Sequence, residues 1–128
     1  MWGVSMEDIQ NEVRAAVKLC EPGTINIVSV LRHGKLPSSP YYFIDMELCD
    51  LNLATYIYRK WVPGMADRIP NFVTVDQSEP KMKLMQTWEI MRDVTNGVAF
   101  VHLQEEIHRD LKPQNGGCQL NNVSLIDF

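Results

Sequence analysis

The chain has 128 residues, a formal charge of −4, 45% hydrophobic residues and 22% charged residues. That balance belongs to a folded domain rather than a disordered tail. It leaves no basic excess for binding nucleic acid by counterion release, and no apolar run approaches the eighteen or so residues of a membrane span. The first eight residues carry neither the basic nor the apolar region of a secretory leader, so the cytoplasm, with the nucleus as a second address, is the expected location. Cys20, Cys49 and Cys118 are far apart in sequence and form no CxxC pair, and no histidine stands beside them at metal-ligand spacing. All three thiols read as free, small apolar side chains.

Residues 5–20 predict a helix. Ser5 can cap it, Glu7 and Asp8 fall in its first turn, and Ile9, Val13, Ala16, Val17 and Cys20 share one face. Glu21-Pro22-Gly23 stops it. Two strands are expected next, Asn26–Arg32 and Tyr41–Leu48, joined by a loop over Gly34–Pro40. Residues 51–61 predict a short helix, and 62–79, with Pro63, Gly64 and Pro70, a loop or insertion. A long helix over 80–103 follows, with Leu84, Trp88, Met91, Val94, Val98 and Val101 recurring at three- and four-residue spacing as a core stripe. The order of elements points to an α+β fold.

The tail is polar and rich in chemistry: His108-Arg109-Asp110-Leu111-Lys112-Pro113-Gln114-Asn115, and then Asp127-Phe128. A carboxylate at 110 can accept a proton from an attacking hydroxyl. An ammonium two residues on can neutralise charge developing on a transferred phosphoryl group. The amide oxygen of Asn115 and the carboxylate of Asp127 are hard ligands suited to Mg²⁺. The run matches H-R-D-L-x-x-x-N in full, and Asp-Phe opens D-F-G; five fixed positions arise by chance on the order of once in millions of windows.

On these residues the chain resembles part of a eukaryotic-type protein kinase domain. The likeness extends upstream. The helix with Asn11-Glu12-Val13-Arg14 resembles the αC helix, with Glu12 at its ion-pairing glutamate. Asn26-Ile27-Val28 resembles the start of the fourth strand, Tyr42–Cys49 the fifth strand and hinge, 51–61 the αD helix, and the helix ending Gly97-Val98-Ala99-Phe100-Val101-His102 the αE helix. The resemblance implies a partial protein kinase-like fold over 1–128, with small-lobe parts and the hinge start in 1–48, the beginning of the large lobe in 49–128, and an insertion at 62–79.

It further implies a serine/threonine kinase that uses ATP and Mg²⁺ to phosphorylate a protein substrate, with no nucleic-acid or membrane partner. Lys112, two residues after the aspartate, gives the serine/threonine type. By the same resemblance Asp110 is the catalytic base, Lys112 contacts the γ-phosphate, and Asn115 and Asp127 hold the metal. Met46 is the gatekeeper, the Glu47 and Cys49 backbones meet the adenine edge, and Asn52 lies near the ribose. Arg109 is placed to pair with a phosphorylated activation loop. His108, His102 and His33 read as structural or exposed.

Departures accompany the match. No glycine-rich loop and no V-A-I-K lysine precede the first helix; Lys18 lies within that helix and Lys35 in a loop, so Glu12 has no partner. The chain is expected to be a fragment truncated at both ends, without phosphotransfer of its own. Gly116-Gly117 stands where the family has a short apolar strand with a side chain under the adenine ring, and two glycines weaken a strand. The alternative reading is a non-catalytic, kinase-like (pseudokinase) interaction module. Gly116-Gly117 and the lacking lysine favour it, and the intact His108, Arg109, Asp110, Lys112, Asn115 and Asp127 oppose it.

Overall fold

The computed structural model describes residues 5–20, 24–60, 62–64, 67, 79–119 and 122–126. Most of the expected insertion, the 21–23 helix stop and Asp127-Phe128 lie outside these. The described elements, in chain order, are α1 (Met6–Cys20), β1 (Val30–Lys35), β2 (Tyr42–Met46), β3 (Leu51–Asn52), α2 (Leu53–Ile57), α3 (Pro80–Leu103), a 3-10 turn (Pro113–Asn115), β4 (Gly116–Gln119) and β5 (Asn122–Leu125). The fold is α+β, as the residue pattern predicts.

α1 begins where the sequence places it. Ser5 Oγ accepts from the Asp8 backbone N–H at 3.0 Å while Asp8 Oδ2 accepts from Ser5 N at 3.1 Å, a reciprocal cap that satisfies two donors at the helix start. The Ser5 hydroxyl, donating to Asp8 Oδ2 at 2.6 Å, and then the Ser5 backbone N–H hold the Asp8 carboxyl below its usual range. Its buried face is Val13, Ala16 and Leu19.

The strands form two separate antiparallel sheets. Among the described residues β1 pairs with β2, and a register shift falls between Val30 and Arg32. β3, β4 and β5 form a three-stranded sheet in that order. The first strand thus sits later than the expected Asn26–Arg32, and Gly34 lies in it, opposite Phe43, rather than in the loop. The cause is a long-range claim on the earlier residues: Ile27 bridges in parallel to Leu125, Val28 N donates to Leu125 O at 3.0 Å, and Leu125 N donates to Asn26 O at 2.9 Å. Residues 51–61 also divide, because Leu51 and Asn52 pair with Cys118 and Gly117 before the helix starts.

α3 spans the residues its periodicity predicts and packs against β5. Leu19, Ile27, Val101 and Leu125 form one buried cluster; Leu51, Cys118 and Val123 form another, and Val94 of α3 packs against both. Burying a side chain such as Leu19 or Leu125 stabilises the fold by about 1.5–3 kcal/mol. Gly97 is where helix and strand come closest: a Cβ there would stand 2.8 Å from Asn26 O and 2.9 Å from Leu125 Cδ1. The expected core stripe is corrected in its first half. Leu84, Trp88 and Met91 are exposed, and the buried positions of α3 are Gln86, Asp93, Gly97 and Val101. Among the described residues, the sheet packs against the later half of the helix, from Ile90 onward.

Two polar side chains tie this body together. Buried Asn26 donates through Nδ2 to Val123 O at 2.9 Å, and buried Asp93 accepts the Val123 N–H at 3.0 Å. Both satisfy backbone groups that would be costly to bury unpaired. The glycines of β4 are a second correction. Gly116 and Gly117 do not interrupt a strand: both are buried and paired, Gly116 with Leu125 and Gly117 with Ser124 on one side and Asn52 on the other.

Candidate active site

The loop carrying His108 to Asn115 is aimed by the way α3 ends. The Glu105 N–H donates to His102 O at 3.0 Å and the Glu106 N–H to Val101 O at 3.1 Å, with Glu105 in the left-handed region at φ 61°. Lys18 then pins the outgoing chain to α1, donating to Gln104 O at 2.5 Å and to Glu106 Oε1 at 3.1 Å. That use agrees with the reading that Lys18 is no phosphate ligand.

His108 is almost fully buried. Arg109 follows in the left-handed region, at φ 59°, a backbone conformation that costs a non-glycine residue and tends to cluster at functional sites. Its side chain is exposed and lines a cavity of about 380 Å³ together with Glu12 and Arg14 of α1 and with Glu106.

Asp110, Lys112 and Asn115 converge. Lys112 Nζ donates to Asp110 Oδ2, and Asn115 Nδ2 donates to Asp110 Oδ2 at 3.0 Å and to Asp110 O at 3.1 Å. The Lys112 hydrogen bond and charge, helped by the Asn115 amide, hold the Asp110 carboxyl below its ordinary range. It is therefore an exposed anion at neutral pH, able to accept a proton or a hydroxyl hydrogen bond. Asn115 is nearly buried, and its amide nitrogen is committed to Asp110, so Oδ1 is the group left to face a cation. Its own backbone is fixed by Asn115 N donating to Lys112 O at 2.9 Å and Asn115 O accepting from Ile126 N at 2.9 Å. The latter bond brings residue 126, one before Asp127, against the catalytic loop. Asp127 itself lies outside the described residues. Among the described residues no cluster of three His, Cys, Asp or Glu forms a metal cage. The amide oxygen of Asn115 beside a carboxylate fits a hard divalent cation held partly by water or phosphate rather than by an all-protein cage.

Met46 ends β2 and borders a small cavity of about 30 Å³ with Glu12, Ala16, Val30, Ile44 and Ile126. The gatekeeper candidate, the α1 glutamate and the residue before Asp127 therefore share one space. Glu47 is fixed by two bonds to Ser29: its backbone N–H donates to Ser29 O at 2.9 Å and its carboxylate accepts from Ser29 N at 2.8 Å. Cys49 and Asp50 run beside β4, where Asp50 N donates to Cys118 O and Gln119 Nε2 to Leu48 O, each at 3.0 Å. Asn52 Oδ1 caps α2 by accepting from Thr55 N at 2.9 Å, so half of its amide serves the local fold. Sequence reasoning missed the left-handed Glu105 and the contact of Cys49 with Gly117. Neither leaves a local signal, since no glycine marks position 105 and the two residues in contact are 68 positions apart in the chain.

No protein-family model matches the chain. Curated relatives do. A calcium/calmodulin-dependent protein kinase kinase of Caenorhabditis elegans is 25% identical over 121 residues, covering 94% of this chain and 18% of that protein. A light-sensor protein kinase of Ceratodon purpureus is 30% identical over 118 residues, 89% of this chain and 8% of that protein. The serine/threonine-protein kinase/endoribonuclease IRE1 of Oryza sativa subsp. japonica is 32% identical over 92 residues, 70% of this chain and 10% of that protein. The chain thus spans less than a fifth of the length of these relatives. The fold and loop define a partial protein kinase domain. The Oryza sativa relative is a serine/threonine-protein kinase by name.

Proposed function

We propose that the polypeptide carrying this chain transfers the γ-phosphate of ATP to a serine or threonine hydroxyl of a protein. The observation that carries this reading is the convergence of Lys112 and Asn115 on the Asp110 carboxylate, which keeps that group ionised and oriented at an exposed loop. Asp110 orients the substrate hydroxyl and accepts its proton as the bond to phosphorus forms. Lys112, already paired with that carboxylate, would offset the charge of the transferred phosphoryl group. Asn115, with Asp127, would hold Mg²⁺, which when bound neutralises charge on the phosphate oxygens. The hinge backbone at Glu47 and Cys49 would take the adenine edge, with Met46 behind it and Asn52 toward the ribose. Arg109, exposed beside Arg14 in a polar cavity that Asp8, Glu12 and Glu106 also line, would pair with a phosphorylated loop that displaces those carboxylates.

Nucleotide binding separates this reading from a non-catalytic interaction module. In the natural polypeptide that carries these residues, Mg²⁺ is expected to tighten ATP binding at least tenfold. Asn115→Ala and Asp127→Ala are each expected to abolish that Mg²⁺ dependence while ATP alone still binds. ATP binding that ignores Mg²⁺, or no binding, contradicts the kinase reading and favours the interaction module.

A further inference from the structure

Gly117 lies in the centre of the three-stranded sheet, buried and paired on both sides, with nothing of its own projecting from the strand. The space its side chain would occupy is not empty. A Cβ built on Gly117 would overlap Cys49 Sγ, and would stand 3.0 Å from Cys49 Cβ and 2.9 Å from Ile126 Cδ1. The thiol comes from the segment between β2 and β3, which Asp50 N and Gln119 Nε2 clip to β4 from either side of it. Ile126 also lines the small cavity bordered by Met46 and Glu12. The filled spot is therefore on the site side of the sheet. It is not on the side where Cys118 packs with Leu51 and Val123.

We propose that Cys49 and Gly117 act as one complementary pair, in which the Cys49 side chain crosses to fill the place of a side chain at 117 and forms the floor beneath a bound nucleotide base. The proposal rests on the nucleotide reading given above and names the group that makes that site's apolar contact. The resemblance puts an aliphatic side chain at 117 and only backbone contacts at 49; this structure exchanges the two duties. Burial, followed by the charges of Glu47 and Asp50, raises the Cys49 thiol above its ordinary range. The thiol therefore stays neutral at physiological pH and packs as a small hydrophobe. The exchange also accounts for a glycine in mid-strand, a position glycine otherwise weakens. Any larger residue at 117 requires that Cys49 give way.

The test is a double-substitution cycle in the natural polypeptide, read by melting temperature and by Mg-ATP affinity. Gly117→Ala is expected to lower the melting temperature, because its methyl group collides with the thiol. Cys49→Ala is expected to weaken Mg-ATP binding about fourfold, the loss of one methylene-sized contact. The double variant Cys49→Ala/Gly117→Ala is expected to recover most of the melting temperature lost in Gly117→Ala and most of the affinity lost in Cys49→Ala. Additive melting shifts overturn the pairing. Coupled melting shifts with unchanged Mg-ATP affinity in Cys49→Ala overturn the floor while leaving the nucleotide site intact. Absence of Mg-ATP binding in the unsubstituted protein overturns the nucleotide reading itself, and the floor with it. Should Gly117→Ala fail to fold, recovery of a folded protein on adding Cys49→Ala supports the pairing, and failure to recover overturns it.

Discussion

The β1–β2 hairpin and the α3–β5 body are both antiparallel in their strands, yet they are held in different ways. The hairpin is exposed along most of β1, and its named contacts are surface ones: Arg32 to Asp45 at 2.5 Å, the Arg32 guanidinium 5.9 Å from the Phe43 ring, and His33 Nδ1 with Tyr42 Oη at 2.8 Å. Exposed pairs of this kind stabilise little. The body has two apolar clusters, a glycine that lets helix and strand touch, and buried Asn26 and Asp93 closing backbone groups. The catalytic loop hangs from the body, between the end of α3 and the start of β4. The hairpin contributes one edge, through Val30, Ile44 and Met46 and the segment that follows them. The lesson is that the 108–115 loop is held by the better-buried region, whereas the segment after Met46 leaves from the more exposed one.

Substitutions can break or sharpen that contrast. The largest effect is expected at Gly97→Leu, which would drive a branched side chain into Asn26 O and Leu125; a loss of about 3 kcal/mol or more is expected in denaturant unfolding. Leu125→Ala opens a void in the same cluster and is expected to cost about 3 kcal/mol. Glu105→Gly acts in the opposite direction. It removes the penalty of a left-handed non-glycine residue, so a gain of about 1 kcal/mol is expected with the loop geometry unchanged. Arg32→Ala, in the hairpin, is expected to change stability by about 0.5 kcal/mol or less, since that side chain is 76% exposed. An effect at Arg32 as large as that at Leu125 would erase the distinction between the two regions.

Much of this was legible in the residues, and unevenly so. α1 and α3 could be read from Ser5, the acidic first turn and the apolar spacing, because caps and periodicity are local. The catalytic tail could be read because its chemistry is contiguous in sequence. The strand positions were less so: Asn26 to Val28 look like the start of a β1 strand, but Asn26 O and Val28 N are taken by Leu125, nearly a hundred residues away. Leu84, Trp88 and Met91 share the period of the core stripe, and only the placement of β5 decides that they stay exposed. Gly116-Gly117 looked like a defect because the thiol that completes it comes from the hinge.

The Asp110 carboxyl, lowered by Lys112, carries a pH consequence. A carboxyl held below its ordinary range is ionised well before pH 5, so protonation of Asp110 is expected to produce no acid limb between pH 5 and pH 8. The most direct measurement is phosphotransfer from Mg-ATP to a serine- or threonine-containing protein by the natural polypeptide, compared with Asp110→Ala at matched nucleotide occupancy. The account predicts a loss on the order of a hundredfold to ten-thousandfold, with Mg-ATP affinity retained. An Asp110→Ala variant that transfers phosphate as fast as the unsubstituted protein would contradict it.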